Sequence, residues 1–97
     1  MNELLAGNLF VNAAPPPEGE RFETLLEHKN LVIERIVSSS LIAPTEYVQL
    51  QGEWVVLLKG EAVLEVAGEL HQLKAGDYLF LPAKLAHAVR KVSEGAL

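Results

Sequence analysis

Glu53-Trp54-Val55-Val56-Leu57-Leu58-Lys59 runs into Gly60-Glu61 and restarts at Ala62. That stretch decides the fold. Seven residues rich in β-branched and aromatic side chains, stopped by a glycine, make a strand and a turn, being too short for a helix. Ala62–Val66 then alternates, with Ala62, Leu64 and Val66 on one side and Glu65 on the other. That period of two belongs to a half-buried strand. Gly68-Glu69 turns the chain into Leu70–Leu73. Lys74-Ala75-Gly76-Asp77 turns it again into Tyr78–Leu81, which Pro82 stops. Ala86–Val92 is the last apolar run.

Working back towards the N-terminus, the rhythm persists. Phe22–His28 and Leu31–Val37 are apolar runs joined by Lys29-Asn30, a plausible two-residue hairpin turn. Ser38-Ser39-Ser40 and Ala43-Pro44 bracket a loop before a short strand at Tyr47–Leu50. The count comes to about eight to ten strands at hairpin spacing with no sustained helical period, so the architecture is all-β, a small antiparallel barrel or sandwich. Residues 1–20 read as an N-terminal arm with one short strand around Leu9-Phe10-Val11. The stiff Pro15-Pro16-Pro17 separates that arm from a single barrel domain at residues 21–97.

Composition narrows the function. The chain has 97 residues, 49% of them hydrophobic and 22% charged, as in a globular domain. Eight basic residues stand against 13 acidic ones, a net charge of −5. Nucleic-acid binding is disfavoured, since the basic residues form no stripe. There is no cysteine, which excludes disulfides and thiolate metal sites and agrees with a reducing compartment. Met1-Asn2-Glu3 opens no basic, apolar leader, and no membrane span is legible, so the expected location is cytoplasmic.

The segment from Tyr47 to Lys91 resembles the paired motifs of the cupin superfamily. In the first motif a glycine, five residues on, leads to His-x-His, then to a glutamate and, after six residues, a glycine. Glu53 and Gly60 match, whereas Tyr47 and Gln49 stand at the two histidine positions and Leu41 at the opening glycine. Gly76, Pro82 and His87 match the second motif, with Lys84 replacing a glycine and Lys91 an asparagine. The phrases Glu53–Ala62 and Leu73–Ala83 also resemble small stand-alone bacterial cupins. The resemblance implies a jelly-roll barrel in which Tyr47, Gln49, Glu53 and His87 meet at one cavity. If the protein is an enzyme, it implies oxygenase, isomerase, epimerase or lyase chemistry, with Tyr47, Glu53 and His87 as catalytic groups.

On that geometry a divalent Zn, Fe, Mn or Ni would take Glu53 and His87 as ligands, with the Gln49 amide oxygen as a weaker one. With the Tyr47 phenol as a second weak ligand, two strong donors and two weak ones make a poorer trap than three histidines. The competing expectation is a metal-free polar pocket in which Glu53 and His87 hydrogen-bond each other, joined by Tyr47 and Gln49. Such a pocket serves a small-molecule ligand in a catalyst or in a non-catalytic sensing module; a purely structural barrel needs no ligand. His28 and His71 read as surface residues. Trp54 has the opposite parity to Glu53 and reads as outward-facing. Lys84 and Arg90-Lys91 flank the histidine and would attract an anion. The barrel also looks one strand short after His87. Together with the small core and the apolar arm, this predicts a homodimer in which the arm covers a neighbour's edge.

Overall fold

A computed structural model describes residues 4–43 and 45–97. Met1-Asn2-Glu3 and Pro44, on which the leader and loop readings partly rest, lie outside the described residues. Seven strands form: β1 (Glu20–His28), β2 (Leu31–Ser38), β3 (Glu53–Val56), β4 (Glu61–Val66), β5 (Glu69–Lys74), β6 (Tyr78–Leu81) and β7 (His87–Val92). All pairings are antiparallel, and the described residues contain no helix. β1 pairs with β2 and β3 with β6, while β5, β4 and β7 make a three-stranded sheet.

Seven strands are fewer than the eight to ten expected, and two segments account for the difference. Leu9-Phe10-Val11 is a turn, in which the Phe10 N–H donates to Asn8 Oδ1 at 2.8 Å and the Val11 N–H to the Asn8 carbonyl at 3.2 Å. Local bonds of this kind are what asparagine offers the backbone in place of a ladder. Tyr47–Leu50 forms only an isolated bridge, at Tyr47. Elsewhere the turns fall as expected. Lys29 sits in the left-handed region at φ 55°, so Lys29-Asn30 closes the β1–β2 hairpin.

The core lies between β3 and the β5–β4–β7 sheet. Leu57, Ala62, Leu64, Leu73, Val92 and Ala96 are buried together, with Ile42, Val66, Leu79 and Val89 packed against them. Ala62 and Leu64 therefore face inward, as the alternation of β4 requires.

One end of the barrel is closed by main chain. The Leu57 N–H donates to the Asp77 carbonyl at 2.9 Å and the Gly76 N–H to the Leu57 carbonyl at 2.7 Å. The last residues take the seam that looked a strand short. The Ser38 N–H donates to the Ala96 carbonyl at 2.9 Å, the Gly95 N–H to the Ser38 carbonyl at 2.8 Å, and the Leu97 N–H to the Lys59 carbonyl at 3.0 Å. Ala96 and Leu97 are buried there. Gly60 is required at this end, because it has φ +87° and a Cβ on it would lie 2.5 Å from Ser93 Oγ and 3.2 Å from Ala96 Cα.

The arm lies on its own β1–β2 hairpin. Arg35, a buried arginine, donates from Nη1 to the Leu9 and Val11 carbonyls at 3.0 and 2.7 Å, and from Nη2 to both oxygens of Glu23. Arg21 Nη2 adds a bond to the Asn12 carbonyl at 2.6 Å. No helix of the described residues is long and apolar enough to cross a membrane.

Candidate functional site

The opposite end of the barrel, the mouth, carries the residues at the motif positions. His87 opens β7 and lies directly across from Val66 on β4. Val66 packs on the core, and residues directly opposed across a ladder share a face, so His87 is on the inner wall. Tyr47 bridges to His87: the Tyr47 N–H donates to the His87 carbonyl at 2.7 Å and the His87 N–H to the Tyr47 carbonyl at 3.0 Å. The two rings are consequently neighbours, with centroids 6.0 Å apart and planes tilted by 30°. Glu53 faces Leu81 across the β3–β6 ladder, and Leu81 is buried, so Glu53 also lies on the inner wall. Gln49 is exposed, and its carbonyl accepts the Lys84 N–H at 2.6 Å.

Tyr47, itself exposed, and His87 are thus brought together, and Glu53 shares the inward orientation of His87. The expected Glu53–His87 hydrogen bond does not form among the described residues. His87 Nδ1 lies 3.2 Å from the Leu85 carbonyl instead. A backbone carbonyl accepts only, so this contact puts a proton on Nδ1, and in the neutral ring Nε2 is then the acceptor. Sequence reasoning missed this orienting contact, because any residue at 85 supplies the same carbonyl.

Lys84 explains its own substitution. It stands at a motif glycine and has φ 66°, so the left-handed backbone of that turn persists with a side chain on it. Its N–H ties the turn to Gln49 and positions the strip that carries Tyr47. Arg90, expected near the histidine as an anion lure, is instead paired with Glu65, Nε to Oε2 at 3.1 Å. Residue 90 falls at the bulge in the β4–β7 register. His28 is exposed and His71 lies 3.9 Å from Glu69, in keeping with surface positions.

The donor set at the mouth does not fit a self-sufficient metal centre. No three His, Cys, Asp or Glu side chains cluster among the described residues. Glu53 and His87 offer one carboxylate and one imidazole, where a closed transition-metal site takes about four donors.

Two surface clefts lie elsewhere. One of about 490 Å³ runs between arm and hairpin past Leu9, Val11, Leu26, Ile33 and Arg35. The other, of about 470 Å³, lies over Val63, Gln72, Lys91 and Ser93. Neither is bordered by Tyr47, Gln49, Glu53 or His87. The mouth is the better candidate because the Tyr47 and His87 rings are neighbours there, whereas Arg35 in the first cleft is already committed to Glu23 and the arm.

Comparison with known proteins agrees with the fold. The chain belongs to the cupin family, matching the cupin domain over residues 40–97. Among solved structures it is similar to a candidate mannose-6-phosphate isomerase from Ralstonia eutropha JMP134. The two are 33% identical with a TM-score of 0.81, over 94% of this chain and 88% of that one. It also resembles a conserved protein of unknown function from Streptococcus pyogenes, 17% identical with a TM-score of 0.78, over 96% of this chain and 82% of that one; this likeness concerns the fold alone. No curated protein matches the chain.

Proposed function

We propose that this cupin binds a small polar molecule at the barrel mouth, between His87, Tyr47 and Glu53, without a resident metal. The observation that carries this reading is the His87 ring. With Nδ1 on the Leu85 carbonyl, Nε2 is the acceptor of the neutral ring, and that ring neighbours the ring of Tyr47. One acceptor and one donor on neighbouring side chains suit a ligand bearing a hydroxyl next to a carbonyl. If the ligand is turned over, Nε2 is the base that removes a proton, and the Tyr47 hydroxyl returns one. The Ralstonia relative makes mannose 6-phosphate the first ligand to try, and Lys84 at the mouth supplies a positive charge for its phosphate.

A second reading keeps a divalent Zn, Fe, Mn or Ni on Glu53, His87 and Gln49. Its support is the same carbonyl contact, since ligating histidines are commonly oriented through their second nitrogen. NMR of the His87 ring separates the two. Mannose 6-phosphate is expected to shift the His87 and Tyr47 resonances in metal-free protein, and His87→Ala to abolish the response. Stoichiometric Zn²⁺ or Mn²⁺ uptake, with no ligand response until metal is added, would favour the second reading. Silence of both residues towards sugar phosphate and metals alike sinks the site.

A further inference from the structure

The cleft between the arm and the β1–β2 hairpin combines an apolar wall with a buried cation. Its volume of about 490 Å³ lies within the roughly 300–1,000 Å³ of ordinary small-molecule sites. Leu5, Leu9 and Val11 line it from the arm, and Leu25, Leu26 and Ile33 from the hairpin. Two consecutive leucines share this cleft because the β1–β2 register shifts between Thr24 and Leu26, which leaves Leu25 without a partner on β2. A bulge of this kind bends the strand and re-aims a side chain that strict alternation would turn to the other face.

Arg35 is set among these side chains. It is 9% exposed and is the one charged residue lining the cleft among the described residues. Its bonds to Glu23 and to the arm fix its place, but they do not cancel its charge. The guanidiniums of Arg21 and Arg35 both pair with the single carboxylate of Glu23, so one positive charge is left over. Nε of Arg35 and Nε of Arg21 are also buried without an acceptor. A buried cation short of counter-charge is costly, and an anion brought against it offsets that cost.

We propose that this cleft binds a monoanionic amphiphile, a straight-chain fatty carboxylate, with the carboxylate against Arg35 and the tail along Leu25, Leu26 and Ile33. Each part of the cleft selects one part of this ligand. A small inorganic anion would leave the leucines in water, and a neutral hydrocarbon would leave the surplus charge of the arginines unanswered. An anionic membrane surface is the less favoured source of the same chemistry, because it would meet a chain of net charge −5.

Amide NMR of the full chain, titrated with acetate, hexanoate, octanoate and decanoate, tests the proposal. Decanoate should shift Leu9, Val11, Leu26 and Ile33 and leave Trp54 and Tyr78 unmoved. Kd should fall on the order of tenfold for every two methylenes added, as burial of the tail requires. Decanol, which keeps the tail and loses the charge, should bind on the order of tenfold more weakly than decanoate. Ile33→Glu places a carboxylate in the wall two residues from Arg35 and should abolish the response. Val32→Glu, one residue away on the opposite face of β2, should leave it unchanged. Both positions are exposed, so neither variant should alter the far-UV CD spectrum. If Ile33→Glu fails to fold, the chain-length series on the unmodified chain decides. Equal affinity for all four acids overturns the proposal, as does decanol binding as tightly as decanoate. So does an Ile33→Glu variant that responds like the unmodified chain, or a decanoate response at Tyr47 and His87 in place of the arm. Binding to phosphatidylglycerol vesicles with no response to free decanoate overturns it as well. His87→Ala should keep its decanoate affinity, which separates this cleft from the mouth.

Discussion

The two ends of the barrel treat the same family motifs in opposite ways. At the closed end the glycines are retained, and packing accounts for them. Gly60 leaves no room for a side chain against Ser93 and Ala96, and Gly76 adopts φ +95° as its N–H reaches the Leu57 carbonyl. At the mouth the motif is rewritten, with Tyr47, Gln49 and Lys84 in place of two histidines and a glycine. The closed end is held by contact, and under the proposed function the mouth is where a ligand would be held.

Paired glycine substitutions put that contrast at risk most directly. Gly60→Ala adds left-handed strain to a clash with Ser93 Oγ and a tight approach to Ala96, and should cost about 3 kcal/mol in urea unfolding. Gly68→Ala is the control at the mouth-side turn. Its φ is +85°, but nothing lies within 4 Å of the added methyl. Only the backbone strain remains, about 1 kcal/mol. Equal losses at the two positions would erase the distinction between the ends.

Val37 tests the join between hairpin and barrel. It is fully buried next to Ser38, which the Ala96 carbonyl holds. Truncation to alanine is expected to lower stability by about 2 kcal/mol, read from the unfolding midpoint. A change below half that value would mean that the hairpin contributes little to the closed end.

The mouth should respond the other way round. His87→Ala removes one half-buried side-chain hydrogen bond and should cost no more than about 1 kcal/mol, while ligand response disappears. Global unfolding of this variant would return His87 to the structural half of the molecule.

The smallest effect belongs to Asp77, at the closed-end turn. The Lys74 N–H donates to its carboxylate at 2.9 Å and, foremost among the causes, lowers its pKa below 3.8, with the Lys74 ammonium assisting. A lowered folded pKa means the stabilisation is fully present above the unfolded value near 3.8. It is lost as pH falls through the folded value. Asp77→Asn should therefore melt slightly below the unmodified chain at pH 7, and the gap should close in strong acid. A gap independent of pH would assign the difference to shape and not to charge.

Much of this was legible in residues 53–81. Alternation in Ala62–Val66 placed Leu64 in the core, and Glu53 with Trp54 predicted one inward and one outward side chain, because a strand turns its faces every residue. The Lys29-Asn30 turn was readable for the same local reason. Less legible were segments whose conformation depends on distant partners. Leu9-Phe10-Val11 has strand-like composition but becomes a turn under Asn8, clasped through its carbonyls by Arg35. The tail at Ser93–Leu97 has no strand pattern, yet it fills the seam beside Ser38 and Lys59.

By itself the sequence determined the all-β class, the cupin motif spacing and the opposite parity of Glu53 and Trp54, since these depend on period and turn chemistry within a few residues; that Glu53 is the inward one was implied by the family resemblance. Tertiary structure alone decided that His87 turns to the Leu85 carbonyl, while its place beside Tyr47 was what the family resemblance had implied. It also decided that Arg35 clasps the arm and that the chain's last residues close the barrel. Those outcomes rest on backbone carbonyls and on neighbours tens of residues away, and a main-chain acceptor carries no signature in the amino-acid alphabet.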